Sequence, residues 1–162
     1  LYEKGGIYLD IDTICVRPWK HLLDNQVVLG IELPNYICNA IMFTKPKTEF
    51  FKIWLLNYEK AFNPDGWDEA SILLPRALSH NFSHLITLKE ADTFFLPNWY
   101  ETEKIFVNKN EIPSNIISLH LWESNSMKYL KHITDWSWAN QNSHTMYGKM
   151  LLNLQKFELL KM

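Results

Sequence analysis

Asp10 and Asp12 are the residues of this 162-residue chain whose type and spacing point most directly to chemistry. Two carboxylates separated by one residue on an extended strand project to the same side. One can grip a divalent cation while its neighbour orients a ribose or a bound water, and oxygen ligands of this kind suit Mn²⁺ or Mg²⁺. Such a cation neutralises a diphosphate and acts as a Lewis acid on a departing nucleoside diphosphate. Taken alone, Asp-x-Asp is a common strand-end pair that caps a turn or faces solvent. The setting here argues for more. The segment LYEKGGIYLDIDT places Gly5-Gly6 and an apolar stretch ahead of the pair, and neighbouring like charges repel unless something balances them.

Two enzyme classes end an apolar strand in this way. In haloacid-dehalogenase-like phosphatases the first Asp is a nucleophile. That family expects Thr or Val where Ile14 stands, and the nearest candidate for its later paired acids is Asp65-Gly66-Trp67-Asp68-Glu69. The second class fits more of the chain. LYEKGGIYLDIDT resembles the signature of DXD-containing sugar transferases of family 32, which include yeast-type initiating mannosyltransferases and animal α-1,4-galactosyltransferases. Further landmarks follow in the family's order: Asn35-Tyr36-Ile37-Cys38-Asn39-Ala40-Ile41-Met42, Phe94-Phe95-Leu96-Pro97-Asn98-Trp99-Tyr100, and Ser118-Leu119-His120-Leu121-Trp122. Matching order is harder to reach by chance than any one motif.

The resemblance implies an α/β, GT-A-type fold: a Rossmann-like mixed sheet with the DXD strand at its centre. It implies retaining transfer of a hexose from a UDP- or GDP-sugar donor to a hydroxyl of a glycan, glycolipid or polysaccharide acceptor, with Mn²⁺ (or Mg²⁺) bridging enzyme and diphosphate. The chain opens at Leu1, a few residues before the motif. Residues 1–162 are therefore expected to be the carboxy-terminal part of a GT-A catalytic domain, with its amino-terminal strands lying outside the chain. In this family many members have Gly-Pro after the long helix, where this chain has Gly66-Trp67-Asp68. A non-catalytic sugar-binding module is the alternative from outside the enzymes.

By that resemblance Asp12 and Asp10 are the metal ligands, Asp10 also contacting ribose, and His120 is the third ligand. A neutral imidazole is a borderline donor suited to Mn²⁺. Trp122 would cover the nucleotide or sugar from the same strand face as His120. Gly6 and Gly5 either allow close approach of backbone to nucleotide or simply end a helix. Tyr8 shares the carboxylate side and either stacks at the nucleotide or packs in the core. Asn39 either bonds donor-sugar hydroxyls or makes local turn contacts. Of Asp68 and Glu69, one acid suits a helix N-terminus and the other the sugar; Asp68 joins Asp10 and Asp12 as the catalytic set. Trp136 and Trp138 alternate with polar residues and suggest an acceptor platform or rim packing. His21, His80, His84 and His144 read as core or surface residues.

The elements that must hold these groups are legible from periodicity. Leu1–Lys4 should close a helix at Gly5-Gly6, and Ile7–Ile11 should be a strand with Ile7, Leu9 and Ile11 on its apolar side. Trp19–Leu23 suggests a helical turn; Val27–Glu32 and Ile37–Thr44 suggest strands. Thr48–Phe62 suggests a helix, as does Glu69–Leu78 with Pro75 near its start or kinking it. Leu85–Leu88, Thr93–Leu96 and Ile116–Leu121 read as short strands, and Tyr147–Leu160 as a closing helix. At 47% hydrophobic content the chain can bury one sizeable core. Its 16 basic and 18 acidic residues leave a formal charge of -2, which offers no footprint for nucleic acid. Cys15 and Cys38 can form one bridge at most. No apolar run approaches the ~20 residues that span a bilayer. The compartment stays open: cytoplasmic if bacterial or viral, Golgi lumen if eukaryotic.

Overall fold

The computed structural model describes residues 1–34 and 36–159; Asn35 of the Asn35–Met42 segment and Leu160 of the closing helix lie outside them. The chain runs β1 (Gly6–Leu9), β2 (Thr13–Cys15), β3 (Val27–Leu33), β4 (Tyr36–Thr44), α1 (Glu49–Ala61), α2 (Leu74–Asn81), β5 (Thr87–Lys89), α3 (Ala91–Phe94), α4 (Glu103–Phe106), β6 (Ser118–His120), α5 (Glu123–Leu130), α6 (Trp136–Gln141) and α7 (Met146–Leu159). The fold is α/β, as expected. A mixed four-stranded sheet has the order β1-β4-β3-β5, with β3 and β5 parallel. A second, two-stranded sheet pairs β2 with β6.

Branched and aromatic residues make β3 and β4 good strands, and alternation on β3 sends its side chains to two cores. Val28 faces one built with Ile41, Phe43, Phe94 and Phe95. Val27 and Leu29 face another under α1 and α2, with Phe50, Phe51, Trp54 and Leu78. A third core lies beneath β6 and the later helices, where Leu119 and Leu121 meet Phe106, Met146 and Met150. Both faces of the central sheet are thus covered, and the small sheet joins the carboxy-terminal helices to it.

Several expectations need correction. Within this chain the strand leading into the motif lies at the sheet edge, β1 pairing with β4 alone among the described residues. Its apolar side is not a core side, since Ile7, Leu9 and Ile11 are all exposed. Leu1–Lys4 is seen as a single turn, closed by an i→i−4 bond of α-helical type from the Gly5 N–H to the Leu1 carbonyl at 2.7 Å. Gly5 still needs to be glycine, because its φ is +66° and an added Cβ would sit 2.7 Å from the Pro46 nitrogen. Thr93–Leu96 is no strand: α3 occupies its start, because Phe94 and Phe95 both turn into the core and break strand alternation. Trp136 and Trp138 lie on α6, where residues two apart do not share a face. Trp138 packs into the third core, so the pair forms no platform. Pro75 does stand in the first turn of α2, after a turn of π-helix over Glu69–Leu73. The two cysteines are free thiols.

Gly30 on β3 is where the sheet meets the aromatic layer: an added Cβ would lie 2.7 Å from Phe94 Cδ2 and closer still to the Phe95 ring. Both rings are fully buried and cannot swing away. Gly30→Ala is expected to cost about 1–3 kcal/mol through overpacking. Thermal unfolding should register it as a drop of about 2–4 °C per kcal/mol for a chain of this size. An unchanged melting temperature would show that the aromatic layer can yield.

Candidate functional site

The motif does not lie along one strand. β1 ends at Leu9, Ile11 and Asp12 form a turn, and β2 begins at Thr13. The Thr13 N–H donates to the Asp10 carbonyl at 3.0 Å and closes that turn. Ile11, at its tip, is fully exposed. Asp10 stays tied to the large sheet through its N–H, which donates to the Ala40 carbonyl at 2.8 Å. Asp12 belongs to the small sheet, where its carbonyl accepts from the Leu121 N–H at 2.8 Å. The two carboxylates share a side because the chain turns between them, and not because strand alternation places them there.

β6 brings His120 opposite Thr13. His120 Nε2 lies 3.1 Å from Asp12 Oδ1 and 3.9 Å from Asp10 Oδ2. Asp10, Asp12 and His120 each offer one ligand atom, all within 4.8 Å of one another. Burial pushes the His120 imidazole below its ordinary pKa, opposed by the charges of Asp12 and Asp10 and by the Asp12 hydrogen bond. Its Nδ1 is buried with no hydrogen-bond partner, so Nε2 is the nitrogen available for chemistry. Two carboxylates and one neutral imidazole form a donor set suited to Mn²⁺.

Asp12 has a second duty. Its Oδ2 accepts from the Glu123 N–H at 2.8 Å, at the amino end of α5, where negative charge is favoured by the helix dipole. Trp122, between β6 and α5, takes the left-handed conformation at φ +55°, a strained setting for a bulky residue. That conformation lays its indole against His120, with ring centroids 4.1 Å apart, and its Nε1 donates to the Pro97 carbonyl at 2.9 Å.

These groups open into one cleft, with about 1010 Å³ of space. Of the residues singled out in the sequence, Asp10, Asp12, Tyr8, Asn39, Asp68, His120 and Trp122 line it. Hydrogen bonding to the Asp10 carboxylate, followed by burial, raises the Tyr8 phenol above its usual pKa. Asp68 reaches the cleft while Glu69 turns to Asn63, whose Nδ2 donates to it at 2.7 Å. Gly6 is placed elsewhere, opposite Thr44 at the far end of β1, at φ +114°. Other lining residues had no site role in the sequence analysis, among them Glu32, Tyr36, Trp67 and Trp99. Trp99 belongs to the aromatic-proline stretch, and that was its available signal. Trp67 is 79% exposed, and a lone Trp in a turn gives no periodicity to read. The lining carries five carboxyl groups, those of Asp10, Asp12, Glu32, Asp68 and Glu123, and no lysine or arginine joins them among the described residues.

Comparison with known proteins bears on this cleft. Residues 1–29 match the family described as glycosyltransferase sugar-binding region containing DXD motif. "Glucan organizing enzyme 1" of Cryptococcus neoformans var. grubii is 32% identical over 163 residues, covering 91% of this chain and 43% of that protein. The chain therefore spans less than half the length of this relative. No solved structure matches it. The matched residues 1–29 include Asp10-Ile11-Asp12, so the stretch that is similar to the DXD-containing sugar-binding region is the one that supplies both carboxylates to the cleft.

Proposed function

We propose that this chain is catalytic sequence of a metal-dependent glycosyltransferase of GT-A type, moving a hexose with retention from a UDP- or GDP-sugar to a hydroxyl of a glycan, glycolipid or polysaccharide. The observation that carries the reading is the meeting of Asp10, Asp12 and His120 at a cleft whose charged lining is otherwise acidic. A diphosphate entering such a cleft meets net repulsion unless a cation accompanies it. Mn²⁺ or Mg²⁺ held by these three residues would supply the missing positive charge and stabilise the departing nucleoside diphosphate.

The chain's own groups divide the remaining work. Asp10 and Asp12 fix the cation side of the cleft, Tyr8 and Trp122 offer ring faces to the nucleotide, and Asn39 and Asp68 offer polar atoms to the sugar. Gly6, remote from the cleft wall, would act through the backbone bend at the start of β1. The acceptor is placed by position more than by proton transfer, so rate derives from orientation and electrostatics.

A panel of UDP-glucose, UDP-galactose and GDP-mannose tested with Mn²⁺ by thermal shift should contain a stabilising ligand, because a binder raises the unfolding free energy. Asp10→Ala is expected to lose Mn²⁺-dependent release of nucleoside diphosphate while changing metal-free stability by less than about 0.5 kcal/mol, as surface substitutions do. Asp12→Ala should lose turnover and also about 1–2 kcal/mol, the usual worth of a helix-capping group. Full Mn²⁺-dependent turnover in either variant would end this reading. A phospho-aspartyl adduct on Asp10 would put a phosphatase in its place.

His120→Ala should shift the Mn²⁺ titration of turnover upward by at least about tenfold, since even residues that merely orient a metal ligand are worth about 10–100-fold in affinity. An unchanged Mn²⁺ requirement with lowered thermal stability would reduce His120 to a packing residue.

A further inference from the structure

Glu32 is the cleft residue that a cation-centred account leaves without a task. It is half-buried on β3, and among the described residues no lysine, arginine or histidine pairs with it. The buried Cys38 thiol lines the same cleft nearby. Burial holds the Glu32 carboxyl above its usual range, opposed by that thiol. A carboxyl withdrawn from water without a counter-charge is costly, and such groups collect at functional sites.

Backbone irregularity places it there. Pairing between β3 and β4 steps from Ile31↔Ile37 to Leu33↔Tyr36, so Glu32 is an extra residue with no partner on β4. A bulge of this kind re-aims a side chain, and bulges are enriched beside active sites. The neighbouring irregularity runs from Leu29↔Met42 to Gly30↔Cys38 and takes Asn39 out of the same ladder. Two polar side chains are thereby displaced from regular pairing, and both line the cleft.

We propose that Glu32 recognises a saccharide in this cleft, its carboxyl bonding the hydroxyl groups of a sugar ring and so helping to set which sugar is taken. The inference rests on the glycosyltransferase reading above. A phosphate would be repelled by this carboxyl, whereas a neutral polyhydroxylated ring supplies several O–H donors and no negative charge. The ring faces a sugar also needs are at hand in Tyr36, Trp67 and Trp99. A site that bonds a particular hydroxyl discriminates strongly against an analogue lacking it.

The hydroxyls can belong to the donor hexose or to the acceptor, and Glu32→Ala and Glu32→Gln in the full chain separate the two. Calorimetry with Mn²⁺ would compare the sugar nucleotide that the wild type turns over, from UDP-glucose, UDP-galactose and GDP-mannose, with bare UDP or GDP. Recognition of the donor predicts about tenfold or greater weakening for the sugar nucleotide in Glu32→Ala, and less than about twofold for the bare diphosphate. Recognition of the acceptor predicts unchanged donor hydrolysis with transfer to methyl glucoside, galactoside or mannoside reduced by a similar factor. Neither variant should melt far below the wild type, because Glu32 is half-buried and no ion pair holds it among the described residues; should Glu32→Ala fail to fold, the isosteric Glu32→Gln carries the measurement. Unchanged sugar-nucleotide affinity and unchanged transfer would overturn the proposal while leaving the glycosyltransferase reading intact. A wild type that turns over no sugar nucleotide with Mn²⁺ would overturn both.

Discussion

The Asp12 carboxylate is shared between an imidazole and a helix, and much of the molecule hangs on that sharing. One oxygen faces His120 Nε2 at 3.1 Å and the other accepts from the Glu123 N–H at 2.8 Å. With the Asp12 carbonyl also accepting from Leu121, one residue holds the end of β6, the start of α5 and the bend between them. Trp122 occupies that bend in a left-handed conformation that a bulky side chain adopts only when its surroundings enforce it. Its neighbours supply the enforcement: bonds to Asp12 on either side of it, the Pro97 carbonyl on its indole, and Ser126 bonding back to the Leu121 carbonyl.

Electrostatics gives the cleft its character. An acid cluster around one imidazole is a poor receptacle for an anion and a good one for a cation. The sign of the lining therefore sets a condition: an anion can enter only if a cation balances its charge and that of the carboxylates. Hydrophobic packing supplies the rigidity this requires, since the cores on both faces of the central sheet hold β3 and β4 in place while their irregularities turn Glu32 and Asn39 toward the cleft.

What the sequence disclosed followed the strength of each local signal. Apolar periodicity located β3, β4, α1 and α7 within a residue or two, because burial on two faces or one helical stripe leaves a clear pattern. The motif pair was legible, and so were the late His120 and Trp122, though the reason first offered for the pair was wrong: a turn, and not a strand, gathers Asp10 and Asp12. Apolar Ile7, Leu9 and Ile11 suggested a buried strand, yet they lie on an exposed edge, and period-two alternation does not say which face is covered. The short helices α3, α4 and α5 leave too few turns for periodicity to register. Glu32 was hidden for another reason: its place depends on a bulge, and a bulge is a property of two paired strands that neither strand's sequence announces.

The division of the site between two sheets bears on how the chain folds. Asp10 is anchored on the large sheet, whereas Asp12 and His120, 108 positions apart in the sequence, belong to the small one. The β3–β4 pairing closes through a tight connection, while the β2–β6 pairing must close a loop embracing most of the molecule and carries the greatest loop-closure entropy of any strand pair described. A nascent or partly opened chain can therefore hold its central sheet and still have no centre at all. Assembly of the site is in this sense a report on folding: Asp10, Asp12 and His120 come together only when segments far apart in the sequence have found each other.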